Sequence, residues 1–425
     1  MQNSQYQNIV NLLKKELKPA LGCTEPIAVA IASAKAKETL GKLPEKIKVF
    51  VSGNIFKNGM GVLIPGTKFT GLDYAAALGV TCGNSELGLE VLKNIDSNSI
   101  NVSEQLVNDH KITVEVKENV DKLYIETICY FKNDCSRVII EQRHTNIVKV
   151  EHNEKILFEK EISTTKTSKE TDTQLSVKKI YDFITNVDIA DIEFLLEGAE
   201  MNKKIALEGI KGDYGLQVGK KIFKNIDRKI LLDGLLTHTM GYTAAASDAR
   251  MGGCPYPAMS NSGSGNQGIT TFVPVIVVAK HLNKSKEILL RALALSNLIS
   301  IHIKKNIGQL SALCGIVPAS TGASCGITYL LGGTYNNIVY SIKNMTGSIV
   351  GMICDGAKPA CALKVSAGVN SAIQAALLSI DDIATPKSDG IIDDDVEKTI
   401  INISKIATDG MNETDKLILN IMSNK

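Results

Sequence analysis

Two long stretches of the chain, residues 251–279 and 306–342, contain no Asp, Glu, Lys or Arg. Stretches so free of charge have to be hidden from water, inside a protein core or inside a bilayer. Both are broken by Gly, Ser, Thr, Asn and Pro, and the apolar segment 269–279 is shorter than the roughly 20 residues a membrane span needs. The expectation is a buried core or pocket wall with no membrane partner.

Thiols accompany these stretches. Cys354-Asp-Gly-Ala-Lys-Pro-Ala-Cys361 places two cysteines seven residues apart, with Cys314 upstream in the second charge-free stretch. On an unbroken helix, positions i and i+7 share a face but stand about 10.5 Å apart along the axis. Pro359 cannot continue a helical ladder and Gly356 adds backbone freedom, so the spacing predicts a helix broken there, folding the sulfurs inward. Three soft ligands converging in a dry pocket suit an iron–sulfur cluster, although the spacing alone also suits zinc and does not fix the third ligand. Cys254 and Cys325 are alternatives to Cys314. A lone buried cysteine is ordinarily a small apolar filler.

At 425 residues the chain has room for two or three domains, or one large core with an insertion. A net charge of +2, no Trp and 5% aromatics give no basis for a nucleic-acid partner. The polar, amphipathic N-terminus lacks the apolar core of a signal peptide, so nine cysteines point to reduced thiols in the cytoplasm.

The expected fold class is α+β: a mainly helical catalytic domain with an inserted α/β domain containing a largely antiparallel sheet. Residues 5–17 read as an amphipathic helix with Ile9, Leu12, Leu13 and Leu17 on one side, and a second helix starts near Pro26 and ends at Gly41. Strand patterns follow at 46–51, 111–117, 122–132, 137–150 and 155–162, with helical patterns at 72–95 and 102–109. The expected divisions are 1–43 (helices packing on the catalytic domain), 44–162 (insertion), a polar linker 163–175, and 176–425 (helical domain). Helices are expected at 176–187, 189–209, 216–225, 228–247 and 284–302.

Three further features carry chemistry. Cys23, in Leu21-Gly-Cys-Thr-Glu-Pro-Ile27, stands just before the helix that Pro26 opens. The free amides and dipole there favour a thiolate, unless Cys23 and Thr24 merely cap the helix. Ser260-Asn-Ser-Gly-Ser-Gly-Asn-Gln-Gly268 alternates glycine with small polar side chains. Such a loop can aim backbone N–H groups at a carboxylate, or be an ordinary turn, and it lacks the dinucleotide and phosphate-loop patterns. The loop 57–67 is a weaker version. His238 and His302 read as satisfied residues. Lys358 and Lys364 flank Cys361 and could neutralise a cluster, hold a substrate carboxylate or simply be solvated.

Four ordered segments together resemble the L-cysteine desulfidase family, related to the α-chain of iron–sulfur L-serine dehydratases. They are Pro19-Ala-Leu-Gly-Cys-Thr-Glu-Pro26, Asn58-Gly-Met-Gly-Val62 with Ile64-Pro-Gly-Thr67, Ser262-Gly-Ser-Gly-Asn-Gln-Gly268, and Met352-Ile-Cys-Asp-Gly-Ala-Lys-Pro-Ala-Cys-Ala-Leu-Lys364. The resemblance implies a [4Fe-4S] cluster held by Cys314, Cys354 and Cys361 with one iron open to substrate, and Cys23 as proton acceptor. It implies breakdown of L-cysteine to hydrogen sulfide, ammonia and pyruvate. Substrate contacts are expected from Asn58, Ser262, Gly263, Ser264, Gly265 and Asn266. The same cluster could expel hydroxide from L-serine or L-threonine, and a metal-containing amino-acid sensor is the reading from another class. Broad charge-poor helices are compatible with a homo-oligomer.

Overall fold

The alternation in Lys46–Val51 turns Ile47, Val49 and Val51 to one buried face, which forces this segment into a sheet with one apolar side. The structure, a computed structural model, describes residues 2–160, 174–308 and 311–424. Six strands form a sheet in the spatial order Ile112–Val116, Lys46–Val51, Tyr124–Phe131, Asp134–Glu141, Ile147–His152, Lys155–Glu159. Only the first pair is parallel; the rest are antiparallel. The fold is α+β with a largely antiparallel sheet, as expected.

The helix Thr24–Leu40 lies on that sheet. Ile27, Ile31 and Leu40 share one apolar core with Ile47, Val49, Ile125 and Ile140. The N-terminal helix Gln2–Glu16 has a different allegiance: Ile9, Val10 and Leu13 join the core of the C-terminal helices. Those helices include Leu195–Lys211, Leu235–Met251, Gly265–His281, Lys286–Ile307, Ile316–Leu330, Tyr335–Ile349 and Cys361–Ile380. The two charge-free stretches lie largely inside them, and Phe272, Val275, Ala323 and Ile338 are fully buried.

Several expectations shift. The second helix begins at Thr24, so Pro26 is its third residue, still within the first turn, where a missing N–H costs nothing. The span 137–150 belongs to two strands, joined by a turn that Gln142 enters at a φ of 66°. The span 72–95 is a helix to Cys82 followed by a short 3-10 turn. The helix expected at 228–247 starts only at Leu235, because the chain turns at Lys229, with a φ of 60°, and Gly234 is extended. The linker expected at 163–175 falls, up to residue 173, outside the described residues. Cys361–Ile380 is long and apolar enough to cross a membrane by composition, yet Val365, Val369, Ala372 and Ala376 along it are buried in the helical core.

The expected broken helix between the paired cysteines is instead a loop. Tyr335–Ile349 ends well before Cys354, and Cys361 is the first residue of the next helix. Gly356 makes the loop turn with a φ of 93°, and a Cβ there would stand 2.4 Å from the Lys57 carbonyl oxygen.

Candidate active site

Two small pairings bring distant segments together. Pro19–Ala20 pairs antiparallel with Ala258–Met259, and the Ser260 amide donates to the Lys18 carbonyl at 2.8 Å. This seats the Cys23 turn beside the glycine-rich loop. The loop is braced from below: Asn261 Nδ2 and Thr271 Oγ1 donate to Asn297 Oδ1 at 2.9 and 2.8 Å. A second bridge pairs Leu313 with Ile353. Its flanking bonds, from the Cys314 amide to the Met352 carbonyl (2.9 Å) and from the Cys354 amide to the Ala312 carbonyl (2.6 Å), set Cys314 beside Cys354.

These segments enclose a cavity of about 100 Å³. Cys314, Cys354 and Cys361 line it together with Cys23, Glu25 and Arg250. Asn58, Ser264, Asn266, Gln267 and Lys364 complete its polar wall. Of the loop residues expected to contact substrate, Ser264 and Asn266 reach the cavity. Ser264 caps the helix Gly265–His281 through the Gln267 amide, and Asn266 accepts from Ser247 Oγ at 3.3 Å. Ser262 lies in a neighbouring hollow with Arg143 and Lys304, and Gly263 and Gly265 do not line the cavity. Gly265 matters by what it lacks, since a Cβ there would meet Arg250 Nε at 2.2 Å.

Electrostatically the site centres on Glu25. Its carboxylate accepts from Cys23 Sγ (2.9 Å), Thr24 Oγ1 (3.2 Å) and Asn58 Nδ2 (3.0 Å). His144 Nε2 stands 3.8 Å away, ion-pair range when protonated. Burial alone would raise the Glu25 pKa, but His144 and the Cys23 thiol more than offset it, so the carboxyl stays well below the usual range. Cys23 moves the other way. Burial and the Glu25 charge push its thiol well above the ordinary value, against the opposing pull of Arg250. The expected acidic helix-start thiol is thus corrected: Cys23 is the N-cap residue but makes no side-chain cap bond, and desolvation outweighs the helix dipole.

The other charges are partly engaged. Lys358 and Lys364 each reach a carboxylate oxygen of Asp355 at 2.5 Å, and Lys364 also donates to the Ile353 carbonyl. The two lysines therefore stitch the loop between Cys354 and Cys361. Burial works against the Asp355 charge, yet these two bonds hold its carboxyl at about 2. Buried Lys304 is lowered to about 8 by desolvation, partly restored by Cys354, Cys314 and Glu25. His238 and His302 are satisfied by Asp233 and Glu397, at 2.6 and 2.7 Å.

The donor set can be tested against a metal group. Among the described residues no three Cys, His, Asp or Glu side chains stand close enough to hold one metal ion. A structural zinc needs four donors at about 2.0–2.3 Å, whereas a cluster meets each thiolate through a different iron. Three thiols spread round one cavity, with Arg250 and Lys364 beside them, fit the cluster better. Burial and the Cys354 charge hold the Cys314 thiol up at about 12, a cost that metal binding would relieve. Cys254 packs elsewhere, in a small core with Ala246 and Val273, and Cys325 Sγ approaches the Ile338 carbonyl at 4.0 Å.

Sequence reasoning passed over Glu25, Arg250 and Gln267. Each had a faint signal: Glu25 follows Cys23 by two, Arg250 is the last charge before residues 251–279, and Gln267 belongs to the glycine-rich loop. Three buried polar atoms of the cavity wall, Arg250 Nε, Gln267 Oε1 and Asn58 Oδ1, lack a hydrogen-bond partner among the described residues. Unpaired buried groups are rare enough in proteins to suggest an absent ligand.

Residues 86–420 match the family described as the serine dehydratase alpha chain. The chain also aligns end to end with proteins named UPF0597. One from Parabacteroides distasonis is 50% identical over 422 residues, covering 98% of both chains. One from Phocaeicola vulgatus is 48% identical over 422 residues, covering 99% of this chain and 98% of the relative. One from Oleidesulfovibrio alaskensis is 43% identical over 426 residues, covering both chains completely. With most of its length inside that match, the chain belongs to the serine dehydratase alpha chain family.

Proposed function

We propose that this chain is an L-cysteine desulfidase, a carbon–sulfur lyase of the reducing cytoplasm, with Cys314, Cys354 and Cys361 holding a [4Fe-4S] cluster. The observation that carries the reading is the single buried cavity walled by those thiols together with Cys23, Glu25 and Arg250. When bound, the cluster supplies an iron without a protein ligand, a Lewis acid for the departing sulfur.

The chain's own residues supply the rest. Arg250, with its unpaired Nε, holds the substrate carboxylate. Asn58 Oδ1 and Gln267 Oε1 accept from the substrate ammonium. Cys23 receives the α-proton. To do so it first gives up its own to solvent as a thiolate forms, a step that the Arg250 charge favours and the Glu25 charge opposes. Loss of the α-proton and of the Cβ–S bond yields 2-aminoacrylate and sulfide. The aminoacrylate tautomerises to an imine, which water hydrolyses to pyruvate and ammonia.

Membership of the serine dehydratase alpha chain family supports a second reading, in which the same site expels hydroxide from L-serine, or from the related L-threonine. Anaerobic purification with absorption spectroscopy tests the cluster, and sulfide release from L-cysteine run beside ammonia release from L-serine tests the leaving group. A colourless protein with stoichiometric zinc would overturn both readings. Ammonia from L-serine without sulfide from L-cysteine would select the second. Cys23→Ala should keep the colour and lose turnover.

A further inference from the structure

A larger hollow, about 430 Å³, lies away from the catalytic cavity between the helices Leu195–Lys211, Leu235–Met251 and Gly265–His281. Its volume falls within the roughly 300–1,000 Å³ of small-molecule sites. Ala206, Leu207, Val273, Ile276 and Val277 make an apolar wall, and Lys203, Lys280 and His281 stand along it. Of the carboxylates nearby, Asp233 on the rim is hydrogen-bonded to His238 at 2.6 Å, an ion pair when that ring is protonated, and Glu200 pairs with Lys203 at 3.1 Å. Lys280 is exposed and has no ion-pair partner among the described residues. The hollow thus offers apolar burial beside a cation that no carboxylate among the described residues contacts directly.

Two of its three walls end at the catalytic cavity. On the helix Leu235–Met251, Tyr242 faces the hollow and Arg250 the cavity, eight residues or about 12 Å along the axis. On the helix Gly265–His281, Ile276 and Val277 face the hollow, while Asn266 and Gln267 face the cavity. Pro274 stands between them and cannot donate to the Thr270 carbonyl, so the helix has a missing bond where its halves can shift.

We infer that this hollow is an effector site for a small aliphatic monocarboxylate, coupled through these two helices to the catalytic cavity. The coupling rests on the cavity being the functional site proposed above; the binding does not. The chain body would lie on Leu207, Val273 and Ile276, and the carboxylate would meet Lys280.

Calorimetric titration of the anaerobically purified full chain with octanoate tests the site. One saturable site is expected, lost in Ile276→Glu and weakened about fivefold in Lys280→Glu, an exposed position whose fold is checked by circular dichroism. 1-Octanol, with the same chain and no charge, should bind several-fold more weakly. Coupling is read by mass spectrometry as the rate of Cys23 alkylation by iodoacetamide, which octanoate should change several-fold in the wild type and not in Ile276→Glu. Absence of saturable octanoate binding, equal binding by Ile276→Glu, or binding with an unchanged Cys23 rate would each overturn the inference. A dimer dispersed by Ile276→Glu with no octanoate heat would instead assign the hollow to a second copy, whose Leu232 is 86% exposed nearby. Neither readout uses turnover, so a failure of the desulfidase reading would be seen separately, as missing sulfide.

Discussion

The Cys23 thiol donates to Glu25 Oε2 across 2.9 Å, so the sulfur facing the cavity is neutral and its proton points at a carboxylate. The pair holds itself in this state. The charge of Glu25 disfavours the thiolate, and the thiol's hydrogen bond favours the carboxylate.

Glu25→Gln tests the hold of that carboxylate on the thiol. Burial still raises the Cys23 pKa, but the second-largest cause, the Glu25 charge, is gone. Alkylation of Cys23 between pH 7 and 9 should therefore be faster in the variant. The pH profile of turnover should shift in the same direction, to lower pH, because the thiolate that accepts the α-proton forms more readily. Slower alkylation would show that Glu25 does not hold the thiol neutral.

The C-terminal helix Asn412–Ser423 reaches the cysteine loop through one buried cation. Lys57, only 2% exposed, pairs with Asp415 and donates to the Cys354 carbonyl at 3.3 Å. Asp415→Ala leaves that ammonium buried without a counter-charge, and should cost about 3 kcal/mol or more in urea unfolding. Glu413→Ala, which breaks the exposed pair with Lys416, should cost less than about 0.5 kcal/mol. Equal effects would remove Lys57 from any role in fixing the loop.

Gly356→Ala tests the loop itself. The substitution combines a φ of 93° with a Cβ 2.4 Å from a backbone oxygen, so Lys57 or the loop has to move. Either movement shifts Cys354 and Cys361. Iron content and visible absorbance should fall by more than half, while the far-ultraviolet circular dichroism stays unchanged. Gly390→Ala, at a φ of 56° with open space around it, controls for conformation alone.

The legible and illegible parts of this fold divide along physical lines. Lys46–Val51 was readable because burial alternates along it, and Gly41 because a left-handed residue closes a helix there. The loop 354–361 read as a broken helix because Gly and Pro signal interruption without saying what replaces it. What replaces it, the Leu313–Ile353 bridge, spans 40 residues and has no local mark. The acidity of Cys23 was misread for a similar reason. The helix start is local, whereas the desolvation that overrides it comes from segments as distant as Asn58 and Arg250. The thiols themselves were readable as residue types, but Arg250 and Gln267 become a site only when the glycine-rich loop that carries Gln267 is folded beside the Cys23 turn.

Asp248 makes a pH prediction whose sign is opposite to the usual carboxylate. It is fully buried, its Oδ2 accepts from the Gly219 amide at 2.9 Å, and its Oδ1 has no partner among the described residues. Burial raises its pKa from 3.8 to about 7, despite the nearby backbone N–H groups of Gly219, Leu216 and Val218, which favour the charge. Between those values the folded chain holds a proton that the unfolded chain has released. Stability from this group is therefore present below pH 3.8 and is lost as pH rises towards 7, with a slope approaching about 1.4 kcal/mol per pH unit. Glu25, whose folded pKa is lowered from 4.5, acts in the other direction and only below that value. Asp248→Asn cannot titrate, so the wild-type-minus-variant difference in urea unfolding free energy isolates the group. That difference should fall steadily from pH 4.5 to 7 and then level off. A flat difference would mean that Asp248 is ionised throughout, with Leu216, Val218 and Gly219 sufficient to hold its charge.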